Sequence, residues 1–380
     1  MDADASVIAP THVSELIQRI RRAGFELVGP RISGKAIAWG PIESERDLPI
    51  GWTETQEAGT YRLQRRDDDR WFGFTVGPDS AKRFLFPPVE PCFRLDPQRW
   101  SVEFPDPARP LALFGLRGCD LAAIRVQDRV LAEGTVADAR YRERRQTALR
   151  VAVECSDAAA TCFCDSMGTG PAVGGDFDLC LTERWTGSES TFLLRVGTAR
   201  GRELIRDLGG RPAQARDLEA FRREPQRARA HMGRSMPPGV LARRVPPSPD
   251  HPRWNTVGDR CFACGNCTSV CPTCFCTTPH DETEFGSKGI ERLRVWDSCF
   301  SRDFSYVSGR PQWEDVASRY RQWLGHKLFD WKAQFGTSGC VGCGRCITWC
   351  PAGIDLTEEV RALAAGDPAP AEPAPGFGGK

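Results

Sequence analysis

At 380 residues and 42.1 kDa, the chain is long enough for two or three domains, each with its own core. Its 40% hydrophobic and 27% charged residues are ordinary for a globular protein. The net charge of +1 indicates neither a nucleic-acid partner nor a membrane surface, and we expect neither.

Targeting and membrane segments are also not expected. The first residues have no basic stretch followed by an apolar core, so the sequence predicts no signal peptide. The longest apolar run, Leu111 to Leu116, is far too short to span a bilayer. The sequence therefore predicts a cytoplasmic protein.

The first half predicts an α/β domain over residues 1–245. Apolar residues at helical spacing predict a helix over 12–23. Short apolar runs between Pro and Gly predict strands at 36–39, 61–64, 71–76, 111–116, 148–154, 177–181 and 191–196. A helix predicted over about 120–131 joins two of these strands in a βαβ pattern. Arg-rich helical sequence follows over about 200–231, and its charges favour a solvated face.

The second half differs in composition. A Pro-rich segment at 237–252 is the expected boundary between domains. Residues 246–365 are rich in cysteine and otherwise helical in pattern, with apolar residues every three or four positions over 314–335. We expect a mainly helical domain here. The segment 366–380 is rich in Pro, Ala and Gly, cannot bury a core, and is predicted to be disordered.

Cysteine is the unusual component of this sequence. The chain has 17 cysteines, most of them clustered at short intervals. A large chain with no export signal does not suit a disulfide framework, and an odd number cannot pair completely. Metal binding in a reducing compartment is the better interpretation.

One motif, C-x2-C-x2-C-x3-C-P, occurs twice. Three thiolates of such a loop bind one [4Fe-4S] cluster, and the fourth, which precedes Pro, binds the other cluster. The two runs therefore predict two clusters, the first bound by Cys261, Cys264, Cys267 and Cys350 and the second by Cys340, Cys343, Cys346 and Cys271. The alternative is zinc, which prefers separated pairs of ligands around one ion. Near the second run, His326 and Lys327 are expected to orient backbone or sulfur rather than to bind iron.

Four cysteines of the first half follow two strands of the βαβ pattern. Cys119 lies in the turn after 111–116, Cys155 follows the next strand, and Cys162 and Cys164 come shortly after. Because neighbouring parallel strands end at one sheet edge, we expect these thiols to converge. They predict a third cluster, either [4Fe-4S] or [2Fe-2S]. Four unrelated buried cysteines are the alternative.

The other five cysteines carry weaker signals. Cys180 alternates within a strand and is expected in the core. Cys274, Cys276 and Cys299 stand near the first run, where they either pack or donate hydrogen bonds, and Cys92 has no predicted role. The chain lacks a dinucleotide-binding glycine motif, a P-loop and a C-x-x-C-H haem motif. No residue is therefore predicted to be catalytic.

Longer segments resemble a known family. The resemblance is carried by CFACGNCTSVCPTCFC, WDSCF, RQWLGHKLFD, FGTSGCVGCGRCITWCPAGIDLTEE, FGLRGCDLAAIRVQDRVL and CSDAAATCFCDSMGTGP. These segments resemble the β subunit of cytoplasmic [NiFe] hydrogenases of the sulfhydrogenase type. They are almost equally similar to the A subunit of anaerobic sulfite reductase.

The resemblance implies a non-catalytic electron-transfer subunit of an NAD(P)-linked oxidoreductase. Its implied partners are a flavoprotein subunit that binds FAD and NAD(P)H, an iron–sulfur small subunit, and an [NiFe] large subunit. The alternative resemblance implies transfer to a siroheme subunit instead. A non-redox interaction protein is a third alternative, against which the near-neutral charge argues.

Overall fold

The computed structural model describes residues 5–96, 98–240, 246–283 and 289–365. The predicted boundary segment lies partly outside these residues, at 241–245. The segment 366–380, predicted to be disordered, lies outside them entirely.

The described residues form helices and strands in both halves. The strands are β1 (Ala5–Ile8), β2 (Glu26–Ser33), β3 (Ala36–Pro41), β4 (Trp52–Glu57), β5 (Thr60–Arg65), β6 (Val89–Asp96), β7 (Ser101–Glu103), β8 (Leu111–Leu116), β9 (Leu149–Val153), β10 (Leu179–Trp185), β11 (Ser190–Val196), β12 (Arg211–Pro212), β13 (Thr277–Glu282), β14 (Ile290–Trp296), β15 (Tyr306–Val307) and β16 (Arg310–Pro311). The α-helices are α1 (Pro10–Arg22), α2 (Lys82–Leu85), α3 (Gly118–Leu131), α4 (Ala139–Thr147), α5 (Ala199–Leu204), α6 (Ala215–Ala230), α7 (Arg253–Gly258), α8 (Asn266–Ser269), α9 (Val316–Gly325), α10 (Trp331–Phe335), α11 (Arg345–Thr348) and α12 (Leu356–Ala365). A π-helical turn, His326–Asp330, joins α9 to α10.

An eight-stranded sheet in the order β12-β1-β11-β10-β9-β8-β2-β3 forms the centre of the first half. The strands β2, β8, β9 and β10 are parallel neighbours, and the outer strands are antiparallel. Successive side chains point to opposite faces, so Ala112 and Phe114 pack on the α1 side and Leu113 packs on the α3 side. Helices therefore cover both faces, in agreement with the predicted α/β domain.

Most predicted elements of the first half are confirmed. The helix expected over 12–23 is α1, and the predicted βαβ unit is β8, α3 and β9, with the two strands parallel. The Arg-rich segment forms two helices, α5 and α6.

The strand predicted at 71–76 is wrong. These residues are buried, but they pair with no other strand among the described residues. The Glu183 carboxylate accepts the backbone N–H groups of Trp71 and Phe72, both at 2.8 Å. The Arg117 guanidinium donates to the carbonyls of Phe72, at 3.3 Å, and Phe74, at 2.7 Å. Side chains thus satisfy the backbone groups that a neighbouring strand would otherwise pair.

A second sheet joins the two halves of the chain. Its order is β13-β14-β6-β7, so the hairpin of the second half pairs through β14 with β6 of the first half, and β6 also pairs with β7. Val89 is opposite Val295 and Leu95 is opposite Ile290. Beneath this sheet the Glu90 carboxylate pairs with both Arg144 and Arg294. The division of the chain at 245 stays a prediction, and this sheet crosses it.

The second half has its own core around the cysteine runs. The helices α7, α9 and α12 contribute Trp254, Tyr320, Leu324 and Val360 to this core, and the first half adds Phe163. Short helices alternate here with the β13–β14 hairpin and the small β15–β16 pair. The expectation of a mainly helical domain is therefore not confirmed.

Candidate metal centre

The first cysteine run forms a tight loop between α7 and α8. Gly265 has φ +74° and Ala263 has φ +51°, so the backbone turns sharply where the thiols are carried. The N–H of Ala263 donates to the Cys261 sulfur at 3.4 Å. In the second run, the N–H of Gly342 donates to the Cys340 sulfur at the same distance, and Gly342 and Gly344 also have positive φ. Both loops thus direct backbone N–H groups toward sulfur.

Cys350 lies with the first run, although it belongs to the second in sequence. Burial raises the pKa of Cys261, and the charges of Cys350 and Cys264 raise it further. Burial and the charges of Cys261, Cys350 and Cys264 likewise raise the pKa of Cys267. We call these residues the first thiol group: Cys261, Cys264, Cys267 and Cys350. All four line one small cavity.

Cys271 is in turn close to the second run. Burial is the largest cause that raises the pKa of Cys340, Lys327 opposes it, and the charge of Cys271 adds to the increase; the charge of Cys271 also raises the pKa of Cys343 and Cys346. We call these residues the second thiol group: Cys340, Cys343, Cys346 and Cys271. The fourth cysteine of each run thus lies near the other run, and its binding to the other cluster stays a prediction.

The donor sets fit iron–sulfur clusters better than single metal ions. Within the described ranges, no three His, Cys, Asp or Glu side chains are close enough to share one ion. Zinc would need each sulfur at about 2.3 Å from the metal. Each thiol group instead offers four thiolates, and backbone N–H groups point at the sulfurs of Cys261, Cys340 and Cys350. Such hydrogen bonds stabilise cluster-bound thiolates.

The four cysteines of the first half also come together. Cys119 opens α3 directly after β8, and Cys155 follows β9, the parallel neighbour of β8. The charge of Cys155 helps to raise the pKa of Cys162 and Cys164, for which burial is the largest cause. The charge of Cys164 likewise contributes to raising the pKa of Cys119. We call these residues the third thiol group: Cys119, Cys155, Cys162 and Cys164.

The second and third thiol groups share an interface. The N–H of Phe163 donates to the carbonyl of Gly342 at 2.9 Å, and the Thr169 hydroxyl donates to the carbonyl of Val341 at 2.6 Å. A side chain on Gly342 would start 2.7 Å from the Cα atom of Cys164, so only glycine fits. The charge of Cys343 also contributes to raising the pKa of Cys119, Cys162 and Cys164. The third group is therefore adjacent to the second.

A buried lysine contacts the sulfur of Cys271. Lys327 is 4% exposed, and its Nζ lies 3.3 Å from the Cys271 sulfur, 3.4 Å from the Cys274 sulfur and 3.2 Å from the carbonyl of Gly339. Hydrogen bonding from Cys274 is the largest cause of a strongly lowered Cys271 pKa, and the charge of Lys327 adds to it. Lys327 thus faces sulfur, as its sequence position suggested. Its neighbour His326 instead accepts from the Trp331 indole N–H at 3.3 Å.

Lys82 is a site residue that sequence reasoning did not identify. Its Nζ is buried, donates to the carbonyls of Thr268 and Ser269 at 3.3 and 3.2 Å, and lies 3.7 Å from the centre of the Trp296 ring. Burial lowers its pKa to about 8, while the charge of Cys274 opposes that shift. Lys82 precedes a short apolar run in a non-cysteine segment, and no motif marks it.

Two cysteines lie apart from these groups. Cys180 is fully buried in β10, as expected, and the Arg195 guanidinium donates to its sulfur at 3.2 Å. Cys92 is half-buried on β6. Neither is near the cysteine runs in the described contacts.

These features define an iron–sulfur protein with a dicluster domain, and comparison with known proteins supports that class. A family model described as a 4Fe-4S dicluster domain matches residues 260–354. The chain is 32% identical over 313 residues to Sulfhydrogenase 2 subunit beta of Pyrococcus furiosus, which covers 80% of this chain and 89% of the relative. The chain belongs to this family of hydrogenase β subunits. No solved structure matches it significantly.

None of the helices in the described residues is long and apolar enough to cross a membrane.

Proposed function

We propose that this chain is the electron-transfer subunit of a cytoplasmic [NiFe] hydrogenase. It relays electrons between a flavoprotein subunit, which binds FAD and NAD(P)H, and the iron–sulfur small subunit and [NiFe] large subunit. It carries no catalytic residue of its own. The name of its relative, a sulfhydrogenase subunit, favours this complex over sulfite reductase.

The observation that carries this proposal is the order of the three thiol groups. Cys346 of the second group lines the same cavity as Cys267 of the first group. The N–H of Phe163, between Cys162 and Cys164, donates to the carbonyl of Gly342 beside Cys343 at 2.9 Å, so the second and third groups are adjacent. Three thiolate sites in series span the boundary between the halves of the chain, and this is the arrangement that a relay needs.

The residues at each site are suited to hold [4Fe-4S] groups in the first and second thiol groups and a further iron–sulfur group in the third. Such groups supply one-electron transfer when bound. The protein's part is to bind them through thiolates, to neutralise their charge with Lys327, and to exclude water. The first group includes the exposed Cys264, whereas the second and third groups include the buried Cys343 and Cys164.

The exposed end of the series offers a contact for a partner. Cys264 and Phe262 lie in the first loop, and the Phe262 side chain is 70% exposed. An exposed aromatic ring beside a cluster ligand is a suitable anchor for a protein that exchanges electrons there. We assign this face to one of the proposed subunits.

Anaerobic purification of the tagged chain from its native cells tests the proposal. We expect an [NiFe] large subunit and a flavoprotein to copurify, and NAD(P)H to bleach the visible absorption only when the flavoprotein is present. Copurification of a siroheme protein without an [NiFe] subunit would support the sulfite reductase alternative instead. NAD(P)H oxidation by the pure, flavin-free chain would contradict the role of a relay.

A further inference from the structure

The β13–β14 hairpin brings together two cysteines that belong to none of the thiol groups. Cys276 directly precedes β13, and Cys299 follows β14 by three residues. The first residue of β13, Thr277, is opposite the last residue of β14, Trp296. The backbone N–H of Asp297 also donates to the carbonyl of Cys276 at 2.9 Å. The open end of the hairpin therefore fixes the two cysteines next to each other.

The two thiols are in direct contact and are not equivalent. The sulfur of Cys276 accepts hydrogen bonds from both the thiol and the backbone N–H of Cys299. The hydrogen bond from the Cys299 thiol is the largest cause that lowers the pKa of Cys276 to about 7, and the charge of Lys327 contributes. The same contact raises the pKa of Cys299. One thiol is thus prepared as a nucleophile, and the other is held in its protonated form beside it.

Neither cysteine of this pair belongs to the two C-x2-C-x2-C-x3-C-P runs or to the third thiol group. The thiols of one cluster are spread around the inorganic core, whereas two sulfurs within hydrogen-bond distance leave no room for such a core between them. Their position at one end of the hairpin and in one cavity places both within reach of the same small molecule. Both are free thiols in this structure.

The pair also lines a cavity of about 320 Å³. Its walls include the aromatic side chains of Phe304, Trp313 and Trp323, together with His326. This volume is at the lower end of the range for small-molecule sites. Both cysteines are partly exposed, so a small molecule in the cavity can reach sulfur.

We propose that Cys276 and Cys299 form a thiol–disulfide exchange site for small, largely apolar disulfides. The Cys276 thiolate attacks one sulfur of the disulfide R–S–S–R, forms a Cys276–S–S–R bond and releases RS⁻. Cys299 then gives its proton to the released RS⁻ and attacks the Cys276 sulfur, which releases the second RS⁻ to be protonated by solvent. The protein pair is oxidised to a disulfide by two electrons, and the bound disulfide is reduced to two thiols. A dithiol returns the pair to its reduced form by the reverse exchange.

Anaerobic treatment of the full-length, cluster-loaded chain with bis(2-hydroxyethyl) disulfide tests this site. Peptide mapping of the wild type should find a Cys276–Cys299 disulfide. In Cys299→Ser the second step is blocked, so the mixed disulfide should accumulate on Cys276. Cys276→Ser should lower the rate of reaction at this site at least tenfold.

The control is Cys92→Ser, which removes a half-buried thiol on β6 and should leave the reaction at Cys276 unchanged. The visible spectrum reports separately whether clusters are bound, so loss of the clusters and loss of the exchange site are distinguishable. Equal labelling of Cys92 and Cys276, or a wild type in which Cys276 and Cys299 never join, would overturn the proposal. Because the wild-type mapping needs no substitution, misfolding of a variant leaves this test intact.

Discussion

At the scale of single residues, the sulfur of Cys271 has the most distinctive surroundings. The Lys327 ammonium donates to it from a buried position, and the Thr273 hydroxyl lies 3.1 Å away. A buried lysine needs a negative partner, because an isolated ammonium in an apolar interior is strongly disfavoured. The thiolate of Cys271 provides that partner. The contact therefore places the positive charge of Lys327 directly beside a sulfur of the second thiol group.

Replacing Lys327 by Met should lower the reduction potential of the centre that the second thiol group holds. A reduced cluster carries one more negative charge, so it is stabilised more by the ammonium than the oxidised cluster is. A differential of about 1.4 kcal/mol corresponds to roughly 60 mV for a one-electron couple. Spectroscopic redox titration of the full chain measures this shift. In the control, Lys332→Met, a lysine that donates to the carbonyl of Val240 is removed, and the potential should move much less.

Replacing Cys350 by Ala should damage the centre of the first thiol group, although Cys350 belongs to the second run. The reason is that Cys350 lies beside Cys261, since the charge of Cys350, like that of Cys264, raises the pKa of Cys261. We expect about half of the iron of the two runs to be lost or its spectrum to change, as measured by iron analysis and electron paramagnetic resonance. Damage confined to the centre near Cys340 would contradict the exchange of ligands, and Cys92→Ala is the matched control.

At the scale of elements, the start of α3 and the second cysteine loop are joined by a buried ion pair. Asp120 and Arg345 are 2% and 1% exposed, and the Arg345 Nη2 atom lies 2.8 Å from the Asp120 Oδ1 atom. The Arg345 Nε–H also donates to the carbonyl of Gly77 at 3.0 Å. Since Arg345 lies between Cys343 and Cys346, this pair fixes the loop of one thiol group against the helix that carries Cys119.

The substitution Asp120→Asn should therefore destabilise the protein strongly. It leaves the Arg345 guanidinium buried without a countercharge, which costs about 3–5 kcal/mol. Urea unfolding of the full chain measures the change. The matched control is Glu203→Gln, which breaks an ion pair with Arg206 whose side chains are 64% and 68% exposed, and should cost less than about 1 kcal/mol. Similar losses in the two variants would contradict the structural role of the buried pair.

The sequence predicted the elements that local patterns determine. Helical spacing identified α1, and the βαβ pattern identified the adjacency of β8 and β9 that brings Cys119 toward Cys155. It did not predict the sheet that β6 and β7 form with β13 and β14, because pairing across nearly 200 residues leaves no local signal. It misread 71–76 as a strand because burial produces the same apolar run whether the backbone pairs with a strand or with side chains such as Glu183.

The candidate site shows the same division between local and distant signals. The spacing of each cysteine run predicted which cysteines lie together in the first and second thiol groups, and their binding of two clusters stays a prediction. The spacing of the cysteines could not show that Cys276 and Cys299 lie next to each other, because the pairing of the hairpin between them brings them together. Nor could it identify Lys82, whose role depends on its position over the Trp296 ring.

At the scale of the whole molecule, the two halves depend on each other. They share the sheet formed by β6, β7, β13 and β14, and Phe163 of the first half packs in the core of the second. The Thr161 and Thr348 hydroxyls also lie 2.8 Å apart across the same interface, fully buried. The third thiol group is therefore supported from both sides, and its properties are best measured in the full chain rather than in a fragment.

In the full chain, the double substitution Cys162→Ser and Cys164→Ser should remove iron from the first half alone. If the third thiol group holds a cluster, the wild type should contain roughly 12 or 10 irons, for a [4Fe-4S] or a [2Fe-2S] centre, and the variant roughly 8. Serine keeps the size of the side chain, so the fold should persist, and urea unfolding checks this. Cys180→Ser, at a buried cysteine outside the three groups, controls for the loss of a thiol and should keep the wild-type iron content. Roughly 8 irons in the wild type as well would mean that these four cysteines serve packing only, and the relay would then end at the second thiol group.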